Sequence, residues 1–589
     1  MPRLTSNPRC AVPTLNWIGK DAVVSHHLEV PFHLLKDVPD LACGDPGTGN
    51  LIVQGDNLVA LKALLPHYAG QVKCICIDPP YNTGNEGWAY NDNVNSPVIR
   101  EWLGKAVGKE GETLDRHDRW LCMMYPRLAL LRQFLTEDGV ILVCLDDNEI
   151  HTLRYLLEEI FSPGNFVATL IWEKGRKNDA RFVSSGHEYV MIFARNFSHL
   201  KESGVKWRKE KAGAMEIHEE FIRLREEHGD SFSLIESSLK QFYKELPKNH
   251  PSKKHSRYNK VDATGVWRDD NMSWPGGDGP TYDVIHPVTK RPCRVPDGGW
   301  RYATLEKMQK MIDLGKVVFR ADHTEPPIRK TYLVRDQDDD AVDDDIGSEV
   351  MGSYFYRSAL QSSNTLLQIF GRKPFENPKD HEVIADLISY VTKSDPECIV
   401  LDSFGGSGTT AHSVLLLNHM FKGRRRFILV ELQQEIAREI TRERVKRVAE
   451  GYTNAKGETI KGIGGGFRFC ELGEPLFDET GQIRTTVKFG ELARHVYFSE
   501  TREPLPRERV PNTPLLGVCR GVAVYLLFNG ILGDKTSNGG NVLTRKVLAA
   551  LPPFPGPKVI YCAGCLIGSE RLAEENITVR QTPYEIRVS

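Results

Sequence analysis

Short apolar runs alternate with stretches of helical periodicity through the early part of the chain. Leu51-Ile52-Val53-Gln54 reads as a strand that ends in the turn Gly55-Asp56-Asn57, and apolar residues at helical spacing follow from Leu58 to Pro66. Val72 to Ile77, with only Lys73 strongly polar, reads as a buried strand. Pro79 and Pro80 stop it, because neither can donate a ladder hydrogen bond. Leu121, Met124, Leu128, Leu131 and Leu135 mark one face of a helix from about Trp120 to Leu135. Gly139 to Leu145 is a further apolar strand that runs into Asp146-Asp147-Asn148, and a helix from Glu149 to Ile160 returns. Phe166 to Trp172 and Tyr189 to Phe193 continue the series. Alternating strand and helix argues for a parallel sheet with helices on both faces.

The same pattern resumes much later. A helix from Asp380 to Val391 precedes a strand, Cys398 to Asp402, a glycine loop, a helix from Ala411 to Asn418 and a strand from Arg426 to Glu431. Between the two α/β stretches the period changes. Glu216 to Leu246 reads as charged amphipathic helices, and Lys253, Lys254, His255, Arg257, Tyr258, Lys260, Trp267, Arg268, Trp274, Trp300, Arg301 and Tyr302 interleave basic and aromatic side chains among Gly and Pro. Such side chains on irregular backbone suit phosphate contact and base readout, although a charge run more often means a solvated face. Residues 1–50 read as an irregular arm with one short helix near Phe32 to Lys36. Residues 451–589 read as an accessory α/β region, with strands at Val522 to Phe528 and Val559 to Cys562 and a helix at Val542 to Leu551.

Length and charge narrow the picture only a little. A chain of 589 residues should form several domains, and its formal net charge of −2 argues nothing about nucleic acid. Asp336 to Asp345 is strongly acidic and reads as a solvated linker or loop turned away from phosphate. The opening residues lack the apolar core of a secretory signal and no apolar stretch could span a bilayer, so a cytoplasmic protein is expected, with no membrane contact. The 12 scattered cysteines suggest reduced thiols. Cys562 and Cys565 have zinc-knuckle spacing without a second pair nearby, so no metal is expected.

The candidate chemistry sits at the strand ends. Asp78-Pro79-Pro80-Tyr81 places an acceptor carboxylate, a stiff backbone and an aromatic face at the carboxyl end of a buried strand, where open parallel sheets carry their ligands. Chemistry on the edge of a nucleobase requires extraction from the stack and a surface that replaces the lost stacking. After Tyr81, residues 84 to 95, with Trp88 and Tyr90, have the composition of a closing loop. Downstream, Asp402-Ser403-Phe404-Gly405-Gly406-Ser407-Gly408-Thr409-Thr410 joins a buried strand to a helix start, where exposed amides favour an anionic group. Its glycine spacing is not the Gly-x-Gly-x-x-Gly of dinucleotide binding. Glu431, one strand later, is placed to accept from ribose hydroxyls.

Asp-Pro-Pro-Tyr resembles the catalytic motif of methyltransferases that act on an exocyclic amino group, and Asn82-Thr83-Gly84 resembles the adenine-specific members. Phe404-Gly405-Gly406-Ser407-Gly408-Thr409-Thr410 resembles the S-adenosylmethionine loop of that family. The catalytic motif comes first and the cofactor loop last, an order that resembles the permuted β group, including modification subunits of type III restriction systems. The resemblance covers roughly residues 50 to 450. It implies a doubly wound, Rossmann-like α/β core built from two halves: 51–200 carrying the catalytic motif and 351–450 carrying the cofactor. It further implies a target-recognition region at 201–350 and an accessory domain at 451–589.

The activity the resemblance implies is methyl transfer to adenine N6 in double-stranded DNA, by base flipping and direct attack. It assigns Asp78, Pro79, Pro80 and Tyr81 to catalysis, and Asp56, Asn57, Asp402, Phe404, Gly405, Gly408, Thr409 and Glu431 to the cofactor. Asp56 could equally cap the helix that follows it. His187, in Gly186-His187-Glu188-Tyr189, is a weaker candidate near the flipped base. The rival readings are cytosine-N4 methylation, where Ser-Pro-Pro-Tyr is more usual, and a non-catalytic DNA-specificity subunit. No Gly-x-x-x-x-Gly-Lys-Ser/Thr loop occurs, since Gly530 to Thr536 misses the spacing. A restriction or translocase partner would therefore be a separate chain, and a homodimer is compatible with the resemblance.

Overall fold

The computed structural model describes residues 14–83, 112–175, 182–248, 250–334, 348–505, 512–528, 530–533 and 540–582. The loop with Trp88 and Tyr90 and the acidic stretch from Asp336 to Asp345 lie outside them. Two compact units emerge, Met1–Lys206 with Gly352–Ser589, and Trp207–Met351. Among the described residues no helix is long and apolar enough to cross a membrane.

The first unit is built on a sheet of 10 strands. In chain order they are β1 (His33–Asp37), β2 (Leu51–Gln54), β3 (Val72–Ile77), β4 (Leu135–Leu145), β5 (Phe166–Glu173), β6 (His187–Ala194), β7 (Tyr354–Tyr356), β8 (Ile399–Asp402), β9 (Arg426–Glu431) and β10 (Arg468–Pro475). Their order in space is β1-β10-β2-β9-β8-β3-β4-β6-β5-β7. The run β10-β2-β9-β8-β3-β4 is parallel throughout. Beyond β4 the sheet turns mixed, because β6 pairs antiparallel with both β4 and β5.

The strands of the late α/β stretch lie inside the early one: β9 and β8 sit between β2 and β3. Neither half could close its own sheet, which explains why both are apolar on both faces. Every side chain of β3 and of β8 is buried. The crossover after β8 leads to β9 on one side, and the crossover after β3 leads to β4 on the other. The strand order therefore reverses between β8 and β3, and a crevice opens outside the carboxyl ends of such a pair.

Helices α1 (Asn57–Tyr68), α2 (Glu112–Phe134), α3 (Ile150–Phe161), α4 (His381–Thr392), α5 (Thr409–Phe421) and α6 (Arg442–Glu450) complete the core. Leu61, Leu64, Leu128, Leu131, Leu153 and Leu157 pack with β3 and β4 in one apolar cluster.

Two local expectations fail. Phe32 to Lys36 is not a helix; His33–Asp37 is a strand that pairs antiparallel with β10. The helix expected over Val542 to Leu551 begins as a short strand, Val542–Leu543, paired with Gly564–Cys565, and only Arg545–Ala550 is helical. The border expected at residue 450 also falls inside the first unit, since β10 pairs with β2. Farther on, strands Leu515–Cys519, Val522–Leu526, Lys558–Cys562 and Ile577–Gln581 form a sheet of their own. Val524, Leu526 and Tyr561 of that sheet share the main apolar cluster through Leu492 and Val496.

The second unit has helices Ala214–His228 and Phe232–Glu245 and a four-stranded antiparallel sheet, with Val266–Asp270 between Ile328–Tyr332 and Lys260–Val261. Its aromatic residues are mostly core rather than surface. Trp300, Tyr258, Trp267 and Tyr302 are buried, and Trp300 Nε1 donates to the Tyr282 carbonyl at 2.6 Å. Basic and aromatic residues alternate in sequence here, but these rings face inward, which corrects the reading of Tyr258, Trp267, Trp300 and Tyr302 as side chains for base readout.

Candidate active site

The Asp78 to Tyr81 turn leaves the carboxyl end of β3 at the point of reversal. Trp120 Nε1 on α2 donates to the Pro80 carbonyl at 2.8 Å and pins the proline pair. Asn82 follows in the left-handed region at φ 58°, a conformation that Asn tolerates better than most residues. Its buried amide donates to the Arg116 carbonyl at 3.2 Å and to the carboxylate of Glu149, which also receives His117 Nδ1 and the Thr152 hydroxyl. Asn82 thus anchors the motif to α2 and α3.

Four charged side chains from four segments converge on this turn. Asp78 Oδ2 accepts from Lys379 Nζ at 2.7 Å, and the same ammonium lies 3.4 Å from Glu188 Oε2. Glu188 on β6 pairs with Lys174 and accepts from the Tyr81 hydroxyl at 2.9 Å. Lys379 Nζ also stands 4.8 Å from the centre of the Tyr81 ring, within cation–π range. Its side chain is only 8% exposed. Burial alone would push this ammonium towards neutrality, but the carboxylates of Asp78 and Glu188 outweigh it and hold the pKa above the ordinary lysine value. Burial likewise pushes Glu188 up, and Lys379 and Lys174 outweigh that, so it stays ionised. Burial, with the Asp78 and Glu188 charges, pushes the Tyr81 phenol up and keeps it neutral.

The glycine loop leaves β8 next door. Gly405 N donates to the Val430 carbonyl at 2.8 Å, and a Cβ on Gly405 would stand 3.1 Å from that oxygen. Gly408, at φ +78°, is the residue before α5, where a side chain would be strained. Asp402 accepts from Phe404 N at 2.9 Å and from the Thr410 hydroxyl at 2.7 Å, and burial pushes its carboxyl up to about 7. Glu431 accepts from Gly406 N at 2.7 Å and Gln433 N at 2.9 Å, and burial raises it too. Its carboxylate therefore shapes the loop from beneath, with lone pairs left for a further donor. Phe404 is buried at the start of the loop.

Beneath the loop lies Arg444 of α6, 1% exposed. Its Nη1 donates to the Ser407 carbonyl at 3.2 Å, the Ser407 hydroxyl at 3.0 Å and the Thr409 hydroxyl at 2.9 Å. Its Nη2 meets His412 Nδ1 at 3.2 Å, and the His412 ring stacks on His381 at 4.0 Å. Burial, followed by the His381 and Arg444 charges for His412 and chiefly by the Arg444 charge for His381, pushes both imidazoles down, so they are neutral near pH 7.

Asp56 does two things at once: it caps α1 by accepting from Val59 N at 3.0 Å, and it lies 3.4 Å from the buried Arg127 guanidinium. Asn57 accepts from the same guanidinium and donates to the Ser403 carbonyl at 3.1 Å, which ties the first strand–helix turn to the glycine loop. The segment before α4 joins the two motifs, because Lys379 reaches Asp78 while its own carbonyl accepts from the Thr409 hydroxyl at 3.4 Å. All twelve residues expected at the site thus lie at the carboxyl ends of β2, β3, β8 and β9, in the turns that follow them, or at the first residue of the next helix. His187 instead sits with Tyr189 and Asp147, accepting or donating at 2.9 Å to the Tyr189 hydroxyl.

Lys379, Glu188, Lys174, Arg444 and Arg127 escaped the sequence reading. A signal existed for one of them: Lys379 directly follows Asn377-Pro378 and precedes Asp380, which caps an apolar helix, and a lysine at so buried a border needs an acid partner.

Residues 72–442 match the model of a family described as DNA methylase, the N6/N4 methyltransferases. The chain is 30% identical over 457 residues to the Mod subunit of the type III restriction-modification enzyme EcoP15I of Escherichia coli, covering 74% of this chain and 66% of that one. It is 29% identical over 500 residues to the EcoPI Mod subunit of Escherichia phage P1, covering 76% and 70%. With the type II methyltransferase M.KpnI of Klebsiella pneumoniae it shares 26% over 442 residues, 72% of this chain and 89% of that one. The chain thus spans just under two thirds of the Escherichia coli Mod subunit.

Proposed function

This chain belongs to the N6/N4 family of DNA methylases, and we propose from that premise that it transfers a methyl group from S-adenosylmethionine to the N6 amino group of adenine in double-stranded DNA. The observation that carries the reading is the meeting of Asp78 to Tyr81 and the Gly405 to Thr409 loop at the reversal between β8 and β3. The Asp-Pro-Pro-Tyr form, rather than Ser-Pro-Pro-Tyr, supports adenine over cytosine. Likeness to Mod subunits supports a role in restriction-modification, with a separate restriction or translocase subunit as partner and a cytoplasmic place of work. Residues 207–351, inserted between the halves of the core, are the part we assign to target choice.

The residues present fit the methyl donor. Gly405 and Gly408 let the loop pack closely against Val430 and Thr441, the first turn of α5 presents amides to a carboxylate, and Glu431 and Asp402 end adjacent strands. Ser403 Oγ is buried without a hydrogen-bond partner among the described residues, as a group awaiting a polar ligand would be. Asp56, Asn57 and Phe404 line the turns on either side. When bound, the donor supplies an electrophilic methyl on a sulfonium.

The chain does the rest by placement. Tyr81 offers its ring to a base turned out of the stack. Asp78 Oδ1 and the Pro79 carbonyl accept the two amino hydrogens, which turns the nitrogen lone pair towards the methyl group. The Asp78 carboxylate stabilises the positive charge that passes to the amino nitrogen as the methyl is given up, with the S–C electron pair staying on sulfur and neutral S-adenosylhomocysteine leaving. The amino proton then leaves, with that carboxylate as the nearest base. No covalent enzyme intermediate is required; positioning and charge supply the rate.

Incubation with methyl-labelled S-adenosylmethionine and bacterial genomic duplex DNA, followed by digestion to nucleosides, tests the reading. Label in N6-methyladenine is the expected result. Label in N4-methylcytosine would transfer the assignment to cytosine, and label confined to RNA or protein would overturn it.

A further inference from the structure

The cluster around Lys379 does more than neutralise buried charge. Asp78, Glu188, Lys174 and Lys379 are two acids and two bases, so the group balances as a whole. Among the described residues of this cluster, only Lys379 touches both Asp78 and the Tyr81 ring, the parts of the motif that would grip a base. Its ammonium has three donors, and the structure directs one to Asp78 Oδ2 at 2.7 Å, one towards Glu188 at 3.4 Å, and leaves the charge over the Tyr81 ring at 4.8 Å. Glu188 in turn holds the Tyr81 hydroxyl. The consequence for Asp78 is asymmetric: Oδ2 is taken, while Oδ1 is buried and has no partner among the described residues.

We propose that Lys379 is a positioning residue for methyl transfer: by holding Asp78 Oδ2 and, with Glu188, the Tyr81 ring, it aims Oδ1 at the target amino group. This rests on the reading of Asp78 and Tyr81 given above. A lysine suits the task better than arginine, because a compact ammonium can satisfy two carboxylates and a ring face from one point. Through its carbonyl bond to the Thr409 hydroxyl, the same residue registers the acceptor site against the donor loop. Lys379 need not touch the base, so its effect should appear in turnover and not in donor binding.

The test compares wild type, K379M, D78N and the double variant D78N/K379M, with labelled S-adenosylmethionine on the genomic duplex DNA used above. Misplacement of a reacting group by about 1 Å costs roughly 100-fold in rate, so kcat of K379M should fall by about that factor with the donor KM unchanged. Affinity for S-adenosylhomocysteine, measured by calorimetry on the DNA-free protein, should also be unchanged. If Lys379 acts chiefly through Asp78, the loss in the double variant falls well short of the product of the two single losses and approaches that of D78N, any remainder being the share that runs through Tyr81. Turnover of K379M within about 3-fold of wild type would overturn the proposal, as would losses that multiply in the double variant. Should K379M fail to fold, the double variant still decides, because it keeps the Glu188–Lys174 pair and restores charge balance. A wild type that methylates some other acceptor would defeat the functional reading alone, and the same comparison on that acceptor would still judge Lys379.

Discussion

Asp402 is where the cost of building the site can be measured. Its carboxyl ends β8, is 5% exposed, and lies below the glycine loop that it braces through Phe404 N and the Thr410 hydroxyl. Burial moves its pKa from 3.8 up to about 7, with the Asp78 and Glu431 charges adding to the rise. The sign follows from proton binding. Below about pH 4 the carboxyl is neutral in both folded and unfolded chains and costs nothing. Between pH 4 and 7 the unfolded chain has released the proton that the folded chain retains, so stability falls as pH rises. Above pH 7 the loss is complete, at ~4 kcal/mol for a shift of roughly three units. D402N cannot ionise, keeps an acceptor for Phe404 N and can donate to the Thr410 hydroxyl, at a loss of ~1 kcal/mol for weaker hydrogen bonds. The variant should therefore be the more stable protein by ~3 kcal/mol at pH 8, and the difference should shrink by about that amount at pH 4.5. Urea unfolding followed by tryptophan fluorescence at the two pH values measures it, provided the slopes match. An equal difference at both values would show that Asp402 is ionised at no cost, and would refute the account of its burial.

Three further outcomes follow from other parts of the chain. D78N should bind S-adenosylhomocysteine as wild type does but lose at least ~100-fold in single-turnover methylation, as loss of one transition-state contact of this kind commonly does; unaltered turnover would remove Asp78 from its role. H495L should protect against acid: burial and then the Lys62 charge push His495 down to about 3, so the stability it allows is present above pH 6.5 and is lost as pH falls towards 3. Both its ring nitrogens are buried without a partner among the described residues, so melting curves at pH 7.5 and pH 5 should show a variant no weaker at the first and stronger at the second. G408A forces a side chain into φ +78° with its Cβ 3.2 Å from the Thr441 carbonyl. It should lower stability by ~1–2 kcal/mol and weaken S-adenosylhomocysteine binding in calorimetry, and an unchanged affinity would release this glycine from the donor site.

How much of this was visible in the chain itself varies with the range of the forces involved. β3 and β8 were legible because a strand buried on both faces must be apolar at every position, and prolines or glycines must end it. The Asp78 to Tyr81 turn and the Asp402 to Thr410 loop were legible for the same local reason, since each is a short contiguous set whose backbone demands are written in its own residues. What failed was whatever needed a partner from elsewhere. His33–Asp37 carries a pattern that suits helix or strand, and only β10, far down the chain, makes it a strand. Tyr258, Trp267 and Trp300 lie in segments that look like a nucleic-acid surface, and only the packing of the second unit shows that they are its core. Lys379, Glu188, Lys174 and Arg444 were silent as single letters, because a charged residue reads as solvated until an opposite charge, or for Arg444 a set of neutral acceptors, is brought beside it. Tertiary structure alone decides that, since a buried charge persists only where the fold delivers its partner from another strand or helix.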